Sequence, residues 1–249
     1  MGQQKRLDLY LVEQKLVQSR NKGLQLIKKG KVTVNGKRVY KGGYPVGTTD
    51  QVEVLEEFKY VSRGAYKLKG AIEMFELRFA GKSVLDVGSS TGGFTQVALE
   101  EGAKFVVAVD VGTGQLHPSL KKHPKVYPFE GVDIRTFSYP TRFDWIVSDV
   151  SFISLLKILP SLERLAGGEL LLLFKPQFEV GIEIKRNRRG VVTDQSAIKR
   201  ARERFERETA RLSWKLLHTA PSPIPGKKGN REYFYHFKIG KGKKLPGVI

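Results

Sequence analysis

No cysteine occurs anywhere in the 249 residues. Its absence removes disulfides, thiolate zinc sites, iron–sulfur clusters and cysteine nucleophiles together. Acidic residues are scarce beside basic ones, 25 against 44, which leaves a formal charge of +19. That surplus implies a polyanionic partner or an anionic membrane surface. Long apolar runs are missing too. The longest, GGELLLLF at 167–174, is far too short to cross a bilayer. The opening MGQQKRLDLYLVEQKL has no apolar h-region and no small-residue cleavage site, so no signal peptide and a cytoplasmic address are expected. With 40% hydrophobic residues there is enough apolar side chain for a real core, in one domain or two.

Residues 1–59 read as a small basic module. RLDLYLVEQKL places Leu7, Leu11 and, at looser spacing, Leu16 along one helical face. Ser19 is an N-cap for a second helix, RNKGLQLIKKG, that stops at Gly30. In KVTVNGKRVY, Val32 and Val34 alternate, Asn35–Gly36 makes a turn, and Val39 resumes an extended run before a last strand at 50–55. Arg20, Lys22, Lys28, Lys29, Lys31, Lys37, Arg38 and Lys41 crowd the second helix and the turn, a layout suited to the phosphates and shape of structured RNA. The whole pattern, RLD…SRNKGLQLIKKGKVTVNG, resembles the S4 RNA-binding domain. The resemblance implies an α+β fold whose RNA-binding surface includes or is shaped by Ser19, Arg20, Lys29, Val34, Asn35 and Gly36. Arg6, in the RLD that opens the pattern, is counted with that surface. Gly23 stands where the family usually has Ala.

Residues 60–249 read as a doubly wound α/β domain. KSVLDVG is a buried strand ending in a tight turn, FTQVALEEG a helix that ends near Gly102, and KFVVAVDVG a second strand closed by Asp110. The loop VLDVGSSTGGFT carries Gly88, Ser89, Ser90, Thr91, Gly92, Gly93 and Phe94. It has no Lys after the glycines, so it is not a P-loop, and it holds no G-x-G-x-x-G. Asp86 directly before the turn would repel a pyrophosphate but attract a sulfonium or an amino group. S-adenosylmethionine fits this arrangement: the glycines lie against its body, Asp86 faces the methionine end, and Asp110, followed by Val111, takes the ribose hydroxyls. A dinucleotide is the competing ligand. Asp133, after the third strand, falls where such enzymes hold the adenine amino group. Strands at 142–152, ending in Asp149, and 167–179, ending in Lys175, extend the sheet. A cation-rich helix and the alternation EYFYHFKI, read as part of an antiparallel pair, complete it. The expected fold is a seven-stranded mixed sheet with helices on both faces.

The methyl acceptor follows by subtraction. Cytosine C5 transfer needs a cysteine, and exocyclic amines usually need an Asn/Asp-Pro-Pro-aromatic loop, where this chain has DVSF. A hydroxyl remains. A ribose 2′-hydroxyl needs a nearby proton acceptor and positive charge beside the developing alkoxide, and Lys175 with Asp149 at neighbouring strand ends is a candidate pair. No metal is needed.

SRGAYKL at 62–68, SDVSF at 148–152, LFKPQFE at 173–179 and GNREYFYHF at 229–237 resemble the Lys-Asp-Lys-Glu tetrad of the FtsJ/RrmJ-type 2′-O-methyltransferases. The resemblance assigns the tetrad to Lys67, Asp149, Lys175 and Glu232. With the S4-like module in front, the chain is similar to the TlyA family, also called haemolysin A. That implies 2′-O-methylation of cytidine in large-subunit ribosomal RNA, in some members also in small-subunit RNA, with ribosomal RNA or ribosomal subunits as partners. By the same analogy Lys175 takes the hydroxyl proton, Asp149 and Lys67 orient and polarise it, and Glu232 fixes the lysines. Arg63 in the first motif and Arg186, Arg188 and Arg189 in IKRNRRG are expected to meet RNA phosphates, as is PGKKGNR at 225–231. Two rivals stand beside this reading: a membrane-active, haemolysin-like protein without stable insertion, and a nonenzymatic RNA-binding assembly factor on an inert methyltransferase fold. The tail GKGKKLPG and the joining segment EEFKYVSRG complete the chain, and the sequence leaves the oligomeric state open.

Overall fold

A computed structural model describes residues 4–55 and 60–240. Most of the tail GKGKKLPG and the 56–59 part of the joining segment lie outside the described residues. The chain divides into two compact units, Met1–Lys59 and Tyr60–Ile249.

In the small unit, strand β1 (Lys5–Arg6) leads into helices α1 (Leu7–Glu13) and α2 (Arg20–Lys28). The hairpin β2 (Val32–Val34) and β3 (Lys37–Arg38), then β4 (Pro45–Val46) and β5 (Val52–Val54), follow. Strands β2, β3 and β5 form one antiparallel sheet, and β1 pairs with β4. Leu7 and Leu11 from α1, Leu26 and Ile27 from α2, and Val32, Val34, Val39 and Val46 close the core. Leu16 departs from expectation and is exposed. The helix ends at Glu13 and Lys15 turns left-handed at φ 56°, so the neighbouring Val17 fills the core instead. Asn35 and Gly36 take φ of 50° and 74°, as the hairpin turn requires.

The large unit begins with α3 (Gly64–Phe75), then alternates β6 (Ser83–Val87), α4 (Gly93–Glu100), β7 (Phe105–Asp110), α5 (Pro118–Lys121) and β8 (Val126–Glu130). It continues with β9 (Phe143–Ser148), α6 (Leu159–Leu165), β10 (Ala166–Phe174), α7 (Pro176–Glu179), α8 (Gln195–Arg211), β11 (Trp214–Pro221) and β12 (Tyr233–Ile239). The sheet order is β11-β12-β10-β9-β6-β7-β8, with β12 antiparallel to both neighbours. Strand periodicity explains why so apolar a chain forms it. Leu170, Leu172 and Phe174 join one core with α6 and α8, while Leu171 and Leu173 enter the other with α3 and α4. After β6 the chain builds outward through β7 and β8, then returns to lay β9 on the opposite side of β6. That reversal opens a crevice at the carboxyl ends of β6, β7 and β9, where ligands of such sheets bind.

Candidate active site

The turn after β6 is shaped by close approach. Gly88 has φ 81°, and a Cβ there would stand 3.1 Å from the Val150 Cα. Only glycine lets the loop after β9 come this near. Gly93 lies so close to Ser62 and the Ala65 nitrogen that a side chain would displace the start of α3. Gly92 serves packing instead: at φ 94° it makes room for Leu116 and Leu120, and it lines neither hollow described below. Asp110 holds the neighbouring loops, accepting from the Ser90 nitrogen at 2.8 Å and the Gly112 nitrogen at 2.7 Å.

A cleft of about 530 Å³ lies over these strand ends. Its floor is apolar, from Val87, Val109, Val132 and Ile134, and Gly88, Ser90, Asp110, Val111 and Asp133 border it. One full side is the run Asp149–Ile153. A smaller hollow of about 170 Å³ shares Gly88, Ser90, Asp149 and Ser151 with the cleft and reaches Lys175, with Ser62, Ser89, Thr91 and Phe94 around it. An apolar floor with an acid at each of two strand ends suits the adenosine of a nucleoside cofactor. The smaller hollow leads onward to the lysine.

Four chain segments bring Lys67, Asp149, Lys175 and Glu232 together. Lys67 projects from α3, Asp149 follows β9, Lys175 joins β10 to α7, and Glu232 precedes β12. The Lys67 amine donates to Glu232 Oε2 at 2.7 Å and stands 3.6 Å from Asp149 Oδ2. The Lys175 amine pairs with Asp149 Oδ1 at 2.5 Å and donates to Ser151 Oγ at 2.9 Å. Gln177 donates to the other Glu232 oxygen at 3.1 Å. Lys67, Lys175 and Glu232 are all buried, each under a tenth exposed. Buried ions persist only when so paired, because each is costly to remove from water.

Several expected residues behave differently. Asp86 is fully buried, accepts from Thr95 Oγ1 at 2.6 Å and lines neither hollow. Burial, with Asp149 and Asp110 adding repulsion, pushes its carboxyl up to about 7. The expectation that it faces a cationic ligand directly is corrected: it sits beneath the turn. Asp133 is gripped by Arg135, whose Nη2 lies 2.6 Å from Oδ2 and which itself borders the cleft. Arg186 is not presented to a partner. Its guanidinium donates to the carbonyls of Gln177, Gly181, Ile182 and Ile184 and staples its own loop, while Arg188 and Arg189 are exposed. Arg63 is exposed and reaches the Pro225 carbonyl.

In the small unit Ser19 caps α2 through the Lys22 nitrogen, and Asn35 ties Asp50 to the Gln51 nitrogen. Both shape the surface and are occupied by structural bonds. Arg6 and Arg20 share Asp8. Lys29, Lys37 and Arg38 are exposed on the small unit, while Lys22 and Lys31 are half-buried and Lys22 donates to Gln18. Sequence reasoning missed Ser151, Gln177, Arg135 and Glu179. Three of these stand inside the quoted motifs, two residues from Asp149, two from Lys175 and four from Lys175, so their proximity was available. Glu179, buried and pushed upward by that burial, accepts from Ser154 Oγ at 2.6 Å and the Leu155 nitrogen at 2.8 Å, fixing the far end of the Asp149–Ile153 run.

A doubly wound sheet with this antiparallel β12 insertion, a nucleoside-sized cleft at the switch point and a lysine-centred cluster beside it defines a methyltransferase. Comparison with known proteins narrows the class. The model of the FtsJ-like methyltransferases matches residues 60–239, and the S4 domain model matches residues 5–52. The chain belongs to the FtsJ-like methyltransferase family, in the TlyA-like group that carries an N-terminal S4 domain. It is 43% identical to the 23S rRNA (cytidine-2′-O)-methyltransferase TlyA of Campylobacter jejuni, over 92% of this chain and 97% of that protein. The 16S/23S rRNA (cytidine-2′-O)-methyltransferase TlyA of Mycobacterium tuberculosis is 41% identical over 98% of this chain and 94% of its own length. A solved structure from Streptococcus thermophilus that bears the hemolysin name superposes with a TM-score of 0.74 at 33% identity, covering 97% of this chain and 90% of that one. Among the described residues no helix is long and apolar enough to cross a membrane.

Proposed function

We propose that the protein methylates the 2′-hydroxyl of a cytidine ribose in large-subunit ribosomal RNA, using S-adenosylmethionine held in the strand-end cleft. The observation that carries this reading is the meeting of Lys67, Asp149, Lys175 and Glu232 beside a hollow continuous with that cleft. The donor supplies a methyl group already activated on a sulfonium, so the protein's work is alignment and proton handling. Asp110 would take the ribose hydroxyls and Asp133, with Arg135 beside it, would border the adenine, while the Gly88 turn would allow close backbone approach.

Lys175 would accept the hydroxyl proton on its amine nitrogen, leaving the ribose oxygen as nucleophile toward the methyl group that a bound donor would supply. Asp149, already beside Lys175, balances the ammonium that forms. Lys67 supplies standing positive charge near the developing alkoxide and is held in place by Glu232. Ser151 accepts from the Lys175 amine and fixes its direction. The S4 unit brings cations suited to folded RNA: Lys22, Lys29, Lys31, Lys37 and Arg38, with Arg6 and Arg20. Arg63, Arg188 and Arg189 are exposed cations of the catalytic unit itself. The similarity to 23S-named and 16S/23S-named relatives supports ribosomal RNA as the substrate class.

The test is transfer of labelled methyl from S-adenosylmethionine to ribosomal subunits by the full chain and by Lys175→Ala. The reading requires transfer by the first, a loss of about 10²–10⁴-fold in the second, and equal donor affinity in both. Full turnover by Lys175→Ala removes the proposed base.

A further inference from the structure

The cation-rich helix α8 has no part in the site described above. Two of its arginines are accounted for within the fold. Arg202 lies over the Tyr233 ring and donates to the Tyr235 hydroxyl, and Arg211 pairs with Glu208. Arg200, Arg204 and Arg207 remain. Their spacing of four and three residues sets them on one helical face, and they line a hollow of about 280 Å³. The opposite wall is the segment from Glu179 to Ile184. Arg204 Nη2 donates to the Glu179 carbonyl at 2.9 Å, bracing that wall. Arg200 and Arg207 are exposed and make no ion pair among the described residues.

The hollow's acids do not cancel this charge. The Glu179 carboxylate is turned away to Ser154 and the Leu155 nitrogen, which leaves Glu183 against three guanidinium groups. Guanidinium suits phosphate oxygens, which it can meet with two parallel donors. The wall facing the arginines is the direct continuation of the chain from Lys175 through α7.

We infer that the α8 hollow is a second phosphate-binding site for the RNA substrate, with Arg200 and Arg207 gripping the backbone and Arg204 fixing the wall they face. The inference rests on the RNA methyltransferase reading for its ligand. It places part of the RNA footprint on the helical cover of the sheet, remote in sequence from the S4 domain.

The test uses the full-length chain and deproteinised 23S ribosomal RNA, with wild type, R200Q/R207Q and Glu183→Gln compared. Affinity is measured across a salt series, alongside KM, kcat and S-adenosylmethionine binding. R200Q/R207Q is expected to bind RNA at least fivefold more weakly, with the log–log salt slope shallower by about 1.5, a raised KM, and unchanged kcat and donor affinity. Glu183→Gln keeps both arginines and is expected to bind RNA more tightly. Wild-type affinity and slope in R200Q/R207Q, or weaker binding by Glu183→Gln, overturns the site. If wild type binds the RNA yet transfers no methyl either to it or to ribosomal subunits, the methyltransferase reading fails while the salt slopes still judge the hollow.

Discussion

Asp8 in the small unit and Asp149 in the large one each hold two basic side chains, and the difference lies in where the cationic heads stand. Arg6 and Arg20 meet Asp8 at 3.0 and 2.8 Å, yet their side chains remain 53% and 54% exposed over a fully buried carboxylate. Lys67 and Lys175 meet Asp149 at 3.6 and 2.5 Å, but only 10% and 8% of those side chains reach solvent. In the first arrangement the acid is an anchor beneath two permanent charges. In the second the acid and both cations are withdrawn to the edge of a cleft. The residue types agree with the two tasks. Arginine keeps its proton and offers a fixed fork to phosphate, whereas a lysine amine can exchange a proton with a substrate. One motif of shared charge is therefore suited to the two roles proposed above, adhesion at the surface and proton transfer in the interior.

The strongest way to break this comparison is to make the same isosteric change at both acids. Asp149→Asn is expected to lower the methyl-transfer rate by about 10²–10⁴-fold. Asp8→Asn is expected to leave kcat at saturating RNA within twofold, while costing the small unit about 1–3 kcal/mol of stability. The Arg6 hydrogen bond, followed by Arg20, holds the Asp8 carboxyl below its ordinary value against the opposing cost of burial. Its contribution is therefore present above the usual carboxylate range and is lost as the pH falls through the depressed value. Equal loss of kcat in both variants would erase the distinction between anchor and catalyst.

A second test isolates burial without pairing. Asp86 makes no ion pair among the described residues, and burial raises its carboxyl to about 7. Between roughly pH 4, its unfolded value, and that raised value, the folded protein holds a proton that the unfolded chain releases. Stability of the large unit should then fall as pH rises through this window, by up to a few kcal/mol. Asp86→Asn should flatten the slope and leave the protein more stable at pH 8. Thermal melts between pH 5 and pH 8 measure both, and an identical slope in the two proteins contradicts the assignment.

The smallest effect concerns the surface arginines of the large unit. R188E/R189E is expected to weaken RNA binding about tenfold and to reduce its salt slope, with donor affinity unchanged. Arg186→Gln should act differently, because its guanidinium holds four carbonyls together. Faster proteolysis of the 181–190 loop, with an unaltered salt slope, is its expected signature.

Much of this organisation was legible in the chain. The apolar runs at 83–87, 105–110 and 166–174 alternate between two cores, and the turn residues between them mark the strand ends that carry Asp110, Asp149 and Lys175. Lys67 and Glu232 were legible only through the resemblance of their motifs, since no periodicity marks a lysine on a helix or an acid before a strand as catalytic. Asp86 and Arg186 show the limit from the other side. Composition makes both look available to a ligand, yet burial commits one to Thr95 and loop curvature commits the other to backbone carbonyls. Leu16 failed for a similar reason: the left-handed Lys15 ends the helical face one turn early. Such outcomes depend on where the backbone bends, which residue type alone does not encode.

In the proposed reaction the methyl group goes to a ribose oxygen. The most direct measurement is alkaline hydrolysis of 23S ribosomal RNA after the full chain has transferred labelled methyl from S-adenosylmethionine. A methylated 2′-oxygen cannot assist cleavage, so the label is predicted to remain in an alkali-resistant dinucleotide with 2′-O-methylcytidine on its 5′ side. Label released in a base-methylated mononucleotide would make a base, not the ribose, the acceptor.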